Sequence, residues 1–289
     1  MNIYKKNQAT VQSLIEETRT VYSLPLFYER LNETINHPRS SISDIVKIII
    51  DDQGLSARIL RLANSPLFGC YSKVDSISKS VTIIGTQQLR DLALASSVIK
   101  VFKGIPEDVL SMTSFWQHSI SCGIVARCLA TYLRENNVER FFVSGVLHDV
   151  GQLIMCTTIP EMVQQIRDYS VNNDKLYYKT EFDMLQFNHS QVGGALLQSW
   201  KIPASITETV TYHHTPRFAK QFPLETAVIH LADIICHSME FGHSAEWCVP
   251  RMDENAWERL NMPVSMLSTI LKQSEPLIHE TFSILAEGI

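Results

Sequence analysis

The sequence predicts an all-α protein, and three observations support this fold class. Only 11 Gly and 11 Pro occur in 289 residues, fewer than the roughly 12% that average usage gives these two residue types. Apolar residues recur at helical spacing along most of the chain. No segment alternates apolar and polar residues for long enough to anchor a sheet. Since 45% of the residues are hydrophobic and 19% are charged, we expect a chain that buries a core.

The first predicted helix has Ser43 as its N-cap. It places Ile45, Ile48 and Ile49 on one face and ends before Gly54. Residues 138–156 are apolar almost all round, which predicts one central, buried helix. The other predicted helices are residues 55–64, 78–84, 86–102, 114–133, 161–169, 181–200, 203–213, 224–241, 255–260, 264–272 and 276–287.

Net charge and cysteine content exclude several classes of protein. The formal charge is −5, so no global basic field attracts duplex nucleic acid. No uninterrupted apolar stretch reaches 18 residues, so we expect no membrane span, and the polar first 18 residues are unlike a signal peptide. The six cysteines show no CxxC spacing. We therefore expect reduced thiols and a cytoplasmic protein.

The pair His148–Asp149 is the most informative feature of the sequence, because it lies within an apolar segment. Burying two ionisable groups costs several kcal/mol unless they are paired or bind a metal. Adjacent side chains on a helix point in directions that differ by roughly 100°. Both can therefore reach one ion only if it lies beside the helix, between the two directions. The pair alone leaves two alternatives open, a metal site and a hydrogen-bonded buried pair.

Other histidines and one aspartate favour the metal site. Imidazole and carboxylate groups are ligands that Zn, Fe and Mn accept. No cysteine accompanies these residues, which argues against a structural zinc knuckle. The candidates outside the pair, each in a predicted helix or at its end, are His118, His189, His213, His214 and Asp233.

His230, Asp233 and His237 share one helical face at positions i, i+3 and i+7. A local metal clip is one interpretation of this spacing. A single helix supplies too few ligands for a whole coordination shell, so we expect His230 and His237 to have packing or supporting roles.

The order of these residues resembles the HD superfamily of metal-dependent phosphohydrolases, whose signature is a histidine, a distant His-Asp doublet and a distant aspartate. His118, His148–Asp149 and Asp233 match that order. The resemblance to the HDOD domain of bacterial signalling proteins is closer and covers residues from about 20 to 235. It extends through the N-terminal segments 24–31, 42–49, 55–65 and 76–85.

The resemblance implies a dinuclear centre of divalent transition metal, with Fe, Mn, Ni or Zn as candidate ions. Asp149 would bridge the two ions, and in an active enzyme it would position a metal-bound hydroxide. The ligands implied for the first ion are His118, His148, Asp149 and Asp233, and those for the second are Asp149, His189, His213 and His214.

The sequence also departs from the related HD-GYP phosphodiesterases. Gln152 replaces the lysine that usually follows the doublet and its glycine, and no Gly-Tyr-Pro loop follows His213–His214. An acidic residue that would support a third metal is replaced by Ser114. Arg217 or Lys220 could replace the missing cation, and a solvated loop is the alternative role for both.

The resemblance predicts the domain organisation and the function. We expect a helical segment at residues 1–19, an HDOD domain at 20–240 and a helical extension at 241–289. The domain divides into an N-terminal lobe at 20–105 and an HD-like lobe at 106–240, with a seam at residues 103–107.

The differences from the HD-GYP phosphodiesterases favour a metal-binding interaction or sensing module with no or weak hydrolase activity. The expected partners of this module are other signalling proteins. The alternatives are an active phosphohydrolase or phosphodiesterase with a phosphoester or cyclic-dinucleotide ligand, and a redox or oxygen sensor that uses iron.

Overall fold

Helices account for all the regular structure of the residues that the computed structural model describes, which are 9–18, 22–69, 73–102 and 105–287. The absence of strands from these residues confirms the predicted all-α class. The helices are α1 (Val11–Thr18), α2 (Leu26–Asn36), α3 (Ile42–Asp51), α4 (Gln53–Ala63), α5 (Ile77–Ile84), α6 (Thr86–Val101), α7 (Met112–Tyr132), α8 (Val138–Leu147), α9 (Val150–Thr158), α10 (Pro160–Asn172), α11 (Tyr177–Leu185), α12 (His189–Ser199), α13 (Ala204–Tyr212), α14 (Pro223–Ser238), α15 (Glu254–Leu260) and α16 (Leu267–Leu285).

Helices α2 to α6 pack against one another and form the N-terminal lobe. Ile45, Ile48 and Ile49 of α3 are buried, as the spacing predicts. The predicted cap is wrong: Ser41, not Ser43, accepts a hydrogen bond from the third residue of the helix in a capping box with Asp44. The break after α3 comes at Asp52, so Gly54 lies inside α4.

Helices α7 to α14 form the second lobe, with α7 at its centre against α8, α14 and α16. Two glycines allow α7 and α8 to cross closely. A Cβ atom on Gly145 would lie 2.6 Å from the Cα atom of Gly123, a distance that two packed helices cannot tolerate. This close crossing brings the end of α8 towards the middle of α7.

Three predicted helix boundaries are wrong. Residues 138–156 form two helices, α8 and α9, that are interrupted at His148–Asp149. Residues 181–200 also form two helices, because Gln186 adopts a left-handed conformation with φ of 67° and ends α11. The two helices predicted at 264–272 and 276–287 are one helix, α16, which contains Pro276.

The two lobes meet where α6 contacts α8 and where α16 packs against both α4 and α7. The first helix, α1, packs against α9 and α12 of the second lobe. Lys103 and Gly104 of the predicted seam lie outside the described residues, as do residues 1–8 and 19 of the predicted segment 1–19. The domain boundaries therefore stay predictions.

Within the described ranges, no single helix is long and apolar enough to cross a membrane. Residues 138–158 and 160–172 reach the required length and hydropathy only in combination, and they are bent by 117° at their junction.

Candidate metal centre

The fold brings together all seven side chains that the sequence analysis names as candidate ligands. They come from the middle of α7, the break between α8 and α9, the start of α12, the end of α13 and the interior of α14. In each of two groups, the nearest donor atoms lie within 4.8 Å of one another. The groups are His118, His148 and Asp233, and Asp149, His189, His213 and His214.

The break between α8 and α9 positions the His-Asp doublet. Asp149 leaves the helical conformation with ψ of 6°, so the geometry of two adjacent helical positions does not apply. Gly151 allows the following turn to approach α12, since a Cβ atom there would lie 1.9 Å from the carbonyl oxygen of His189. The doublet therefore lies at a junction of helices.

Asp149 lies between the two groups of donors. Its Oδ2 atom is 3.2 Å from Nε2 of His148, in the first group. Its Oδ1 atom is 3.1 Å from Nε2 of His189 and 3.7 Å from Nε2 of His213, in the second. One carboxylate thus presents one oxygen to each group, the arrangement that a bridging ligand requires.

Asp233 occupies the corresponding place in the first group. Its Oδ1 atom is 3.2 Å from Nε2 of His118 and 3.6 Å from Nε2 of His148. A third imidazole, that of His237, also places Nε2 at 3.2 Å from the same oxygen. The His237 contact spans one turn of α14, so His237 belongs to the site as a supporting residue.

Three imidazoles are oriented by hydrogen bonds at their outer nitrogen. Nδ1 of His148 lies 2.6 Å from the carbonyl oxygen of Gly145, and Nδ1 of His213 lies 2.8 Å from that of Val210. Nδ1 of His189 lies 2.6 Å from Oε2 of Glu181. If each Nδ1–H donates to its oxygen, Nε2 of each ring is left as a free electron-pair donor directed inward. Metal-binding histidines characteristically have this arrangement.

Several inward-facing atoms have no hydrogen-bond partner although they are buried. Among the described residues, these include Nε2 of His148, Nε2 of His213, Oδ1 of Asp149 and Oδ2 of Asp233. Buried polar atoms without partners are costly, and here they converge on one place. Imidazole nitrogens and carboxylate oxygens suit divalent transition metals, so the cluster fits such an ion.

Burial and mutual contact shift the pKa values of the site in the protein alone. Burial alone would raise the pKa of Asp149, but the His148 and His189 imidazoles outweigh it and hold that pKa well below its usual value. Burial alone would lower the pKa of His189, yet the Glu181 and Asp149 carboxylates raise it to about 10. Burial and the neighbouring His148 lower the pKa of His213 to about 3. Near pH 7 Asp149 is therefore ionised and His213 neutral, as metal ligation requires, whereas His189 carries a proton that a bound ion would have to displace.

Glu181 also belongs to the site, although the sequence does not indicate it. Glu181 is fully buried in α11, and its Oε2 atom accepts from the backbone N–H of His189 as well as facing its ring. Nothing in the sequence marks this glutamate, because its burial depends on how α11 packs. His230, for which we expect a supporting role, places Nδ1 2.7 Å from the carbonyl oxygen of His213 and so supports the end of α13.

Residues 241–253, which we call the strap, connect α14 to α15 and close one side of the centre. Gly242 lies against α7, where a Cβ atom would be 2.4 Å from the backbone nitrogen of His118. The backbone N–H of Ala245 donates to Oε1 of Gln152 at 3.2 Å. The carboxylate of Glu246 accepts from the backbone N–H of Tyr177 at 2.8 Å. The strap therefore contacts α7, α9 and α11 around the donor atoms.

All seven candidate ligands are buried. His118, His148 and His213 are 0% exposed, and the most exposed of the seven, His214, is only 8% exposed. Gln152 is also buried and directs its amide oxygen to the strap. This is the position at which the phosphodiesterases that the sequence resembles carry a lysine.

The fold and the site together define an all-α protein with a buried His/Asp cluster that could hold metal ions. A sequence profile of the HDOD domain matches residues 21–216, more than half of the chain. The protein belongs to the HDOD domain family.

The chain is similar to proteins from several bacteria. An uncharacterised protein of Treponema pallidum is 23% identical over 284 residues, which are 97% of this chain and 52% of that protein. The chain therefore spans about half the length of this relative.

The fold is similar to that of solved structures. A crystal structure of a protein from Shewanella amazonensis, described as a candidate phosphohydrolase, superposes with a TM-score of 0.74 and is 22% identical in sequence. The match covers 94% of this chain and 98% of that one. A structure from Marinobacter aquaeolei, described as a candidate signal transduction protein, has a TM-score of 0.70 and 17% identity, covering 99% of this chain and 66% of that one. At these identities, the two structures show a shared fold.

Proposed function

We propose that this protein is a signalling module of the HDOD family that binds two divalent transition-metal ions and acts through interaction or sensing. The observation that supports binding over catalysis is the burial of all seven candidate ligands, together with a strap that contacts α7 and Gln152 beside them. Six of the seven ligands are at most 2% exposed, so a phosphoester would reach them only after the strap or a neighbouring helix moved. The seventh, His214, lines an outer cavity. The description of the Marinobacter protein as a candidate signal transduction protein agrees with this role.

The proposal assigns the candidate ligands to two ions. His118, His148, Asp149 and Asp233 would hold one, and Asp149, His189, His213 and His214 would hold the other. Glu181 and the carbonyl oxygens of Gly145 and Val210 keep the imidazoles in the required orientation. When bound, such ions supply positive charge that stabilises the buried carboxylates and polarises an oxygen-containing ligand.

Metal analysis tests the proposed centre. We expect purified protein to contain about two equivalents of transition metal, because two groups of donors share one bridging carboxylate. His148→Ala removes a donor facing both Asp149 and Asp233 and should lower the content sharply. Asp233→Asn provides a second test with nearly unchanged side-chain volume. His279→Ala, in the exposed part of α16, serves as the control. Metal absent from the parent protein would contradict the assignment.

Phosphohydrolase activity is the second candidate function, supported by the description of the Shewanella protein and by the bridging position of Asp149. The assay is hydrolysis of bis(p-nitrophenyl) phosphate and of cyclic dinucleotides with Mn²⁺ or Fe²⁺ supplied. We expect no turnover above that of His148→Ala. Turnover that Asp149→Ala abolishes would replace the binding role with a catalytic one.

A further inference from the structure

A cavity of about 970 Å³ opens beside His214 on the outer side of the centre. Its walls come from α11, the first turn of α12, the end of α13, residues 215–218 and the second half of the strap. Small-molecule sites commonly have volumes of about 300–1,000 Å³. The cavity is therefore large enough for an organic ligand.

Three cationic side chains without acidic partners line this cavity. They are Lys179, Arg217 and Arg251, and no ion pair forms with any of them in the part of the chain that the structure describes. The neighbouring Lys175 differs, because it pairs with Asp183 at 3.2 Å. Asp174, Asp183 and Asp253 also line the cavity. Its four Lys and Arg side chains therefore exceed its three Asp side chains by one, which leaves a small positive excess for an anion.

Three of the nearby acidic and polar groups are already engaged. The carboxylate of Asp253 accepts from the backbone N–H of Ala256 at the start of α15. At the start of α12, the backbone N–H groups of Asn188 and His189 donate to Gln191 and Glu181 respectively. The helix start therefore offers few free donors, and an anion would depend on the arginine and lysine side chains.

Aromatic side chains also line the cavity. Phe182 and Phe218 line it while 47% and 54% exposed, so a large part of each ring is accessible. The ring of Tyr212 lies 6.5 Å from that of Phe218, and Arg217 lies over the Phe218 ring. One planar ligand could thus contact an aromatic face and a guanidinium group together.

We propose that this cavity binds an organic phosphate with a planar ring, of the size of a nucleoside monophosphate. Its phosphate would lie against Arg217 and Lys179, and its ring against Phe218. This inference rests on the proposed sensing role and names the class of ligand sensed. Lys220, the other loop cation considered from the sequence, does not line the cavity, so the structure distinguishes the two residues.

Calorimetric titration of the full chain tests the proposal with GMP, guanosine and inorganic phosphate as separate probes. We expect GMP to bind more tightly than guanosine or phosphate alone, because it contacts both the cationic and the aromatic side chains.

Arg217→Ala should raise the dissociation constants of GMP and phosphate by about tenfold or more, as expected for loss of a charge-assisted hydrogen bond. Phe218→Ala should raise the dissociation constant of GMP by about three- to tenfold and leave that of phosphate unchanged. Lys220→Ala, an exposed cation three residues from Arg217, should change neither.

Failure of this inference is distinguishable from failure of the proposed metal centre, because metal content is measured on the same samples. Absence of GMP binding to protein that contains its metal would overturn the ligand site alone. Phosphate binding as tight as that of GMP would contradict the aromatic contact. An effect of Lys220→Ala equal to that of Arg217→Ala would show nonspecific attraction by surface charge and overturn the site.

Discussion

Glu181 illustrates how a single buried carboxylate prepares an imidazole for metal binding. It accepts hydrogen bonds from both Nδ1 and the backbone nitrogen of His189, which directs Nε2 towards Asp149. An ionised partner also makes the imidazole a stronger electron-pair donor.

Glu181→Gln should therefore weaken metal binding while preserving side-chain volume. We expect a loss of affinity of about tenfold or more, because a neutral amide polarises the His189 ring less. Competition with a metal-binding dye measures this loss. Asp183→Asn is the control, since Asp183 lies on the same helix but is exposed and pairs with Lys175. Equal affinities for the Glu181→Gln variant and the parent would contradict the supporting role.

Glu246, a residue of the strap, makes the stability of the folded protein depend on pH. Burial raises its pKa from 4.5 to about 7, although the backbone N–H of Tyr177 favours the ionised form. The folded protein therefore binds this proton more tightly than the unfolded chain does. The resulting contribution to stability is complete below about pH 4.5 and is lost as the pH rises through about 7.

Glu246→Gln should remove this pH dependence, because the amide oxygen can still accept from Tyr177 and carries no charge. We expect the variant to be more stable than the parent at pH 8, by about 2 kcal/mol, and the difference to shrink towards pH 5. Urea unfolding at a series of pH values measures it. Glu258→Gln, an exposed residue of α15, should show no such trend. A difference that does not vary with pH would refute the assignment.

At the scale of elements, the doublet depends on a break between two helices and on close packing behind it. Gly151 allows α9 to approach α12, and the nearest atom to a Cβ there would be the carbonyl oxygen of His189. The same contact fixes the start of α12 relative to Asp149.

Gly151→Ala should separate α9 from α12 and destabilise the protein by about 2–4 kcal/mol. Gly193→Ala is a matched control on the facing helix, because its nearest contact is 3.2 Å rather than 1.9 Å. Guanidinium unfolding should show a clearly smaller effect for the control, together with normal metal content. Equal losses in the two variants would mean that the close approach is not the cause.

The sequence predicts much at this scale. Helical periodicity places most helices and the buried face of α3 correctly, and the family motif identifies all seven residues that converge. It does not predict the break at His148–Asp149, because apolar residues continue on both sides and no Gly or Pro lies at the doublet. The roles of Glu181 and the strap are not predicted either, because their contacts depend on how helices distant in sequence pack. The strap also has no hydrophobic periodicity that would indicate its structure.

At the scale of the whole molecule, α16 connects the lobes. It packs against α7 in one lobe and α4 in the other, and Glu287 beyond its end pairs with Arg61 of α4. Its buried apolar residues include Ile270, Ile278 and Ile284. Each would stabilise the fold by about 1.5–3 kcal/mol on burial.

A chain that ends at Glu240 should therefore be less stable than the full chain, with a lower unfolding midpoint in urea. This result would make residues 241–289 part of the domain rather than the separate extension that the sequence analysis expects. A chain that ends at Leu285 is the control, because it keeps α16 and loses the Arg61–Glu287 pair. An unchanged midpoint for the shorter chain would support the predicted boundary at residue 240.

In the proposed metal centre, the strap would also limit how fast a bound ion leaves. An ion behind Gly242 and Ala245 would leave on this side during the intervals in which these residues move away from α7 and Gln152. Once a chelator captures every released ion, further chelator would not accelerate the loss, and the observed rate would equal the rate of strap opening. The protein would then keep the ions acquired during folding, independently of later changes in their supply.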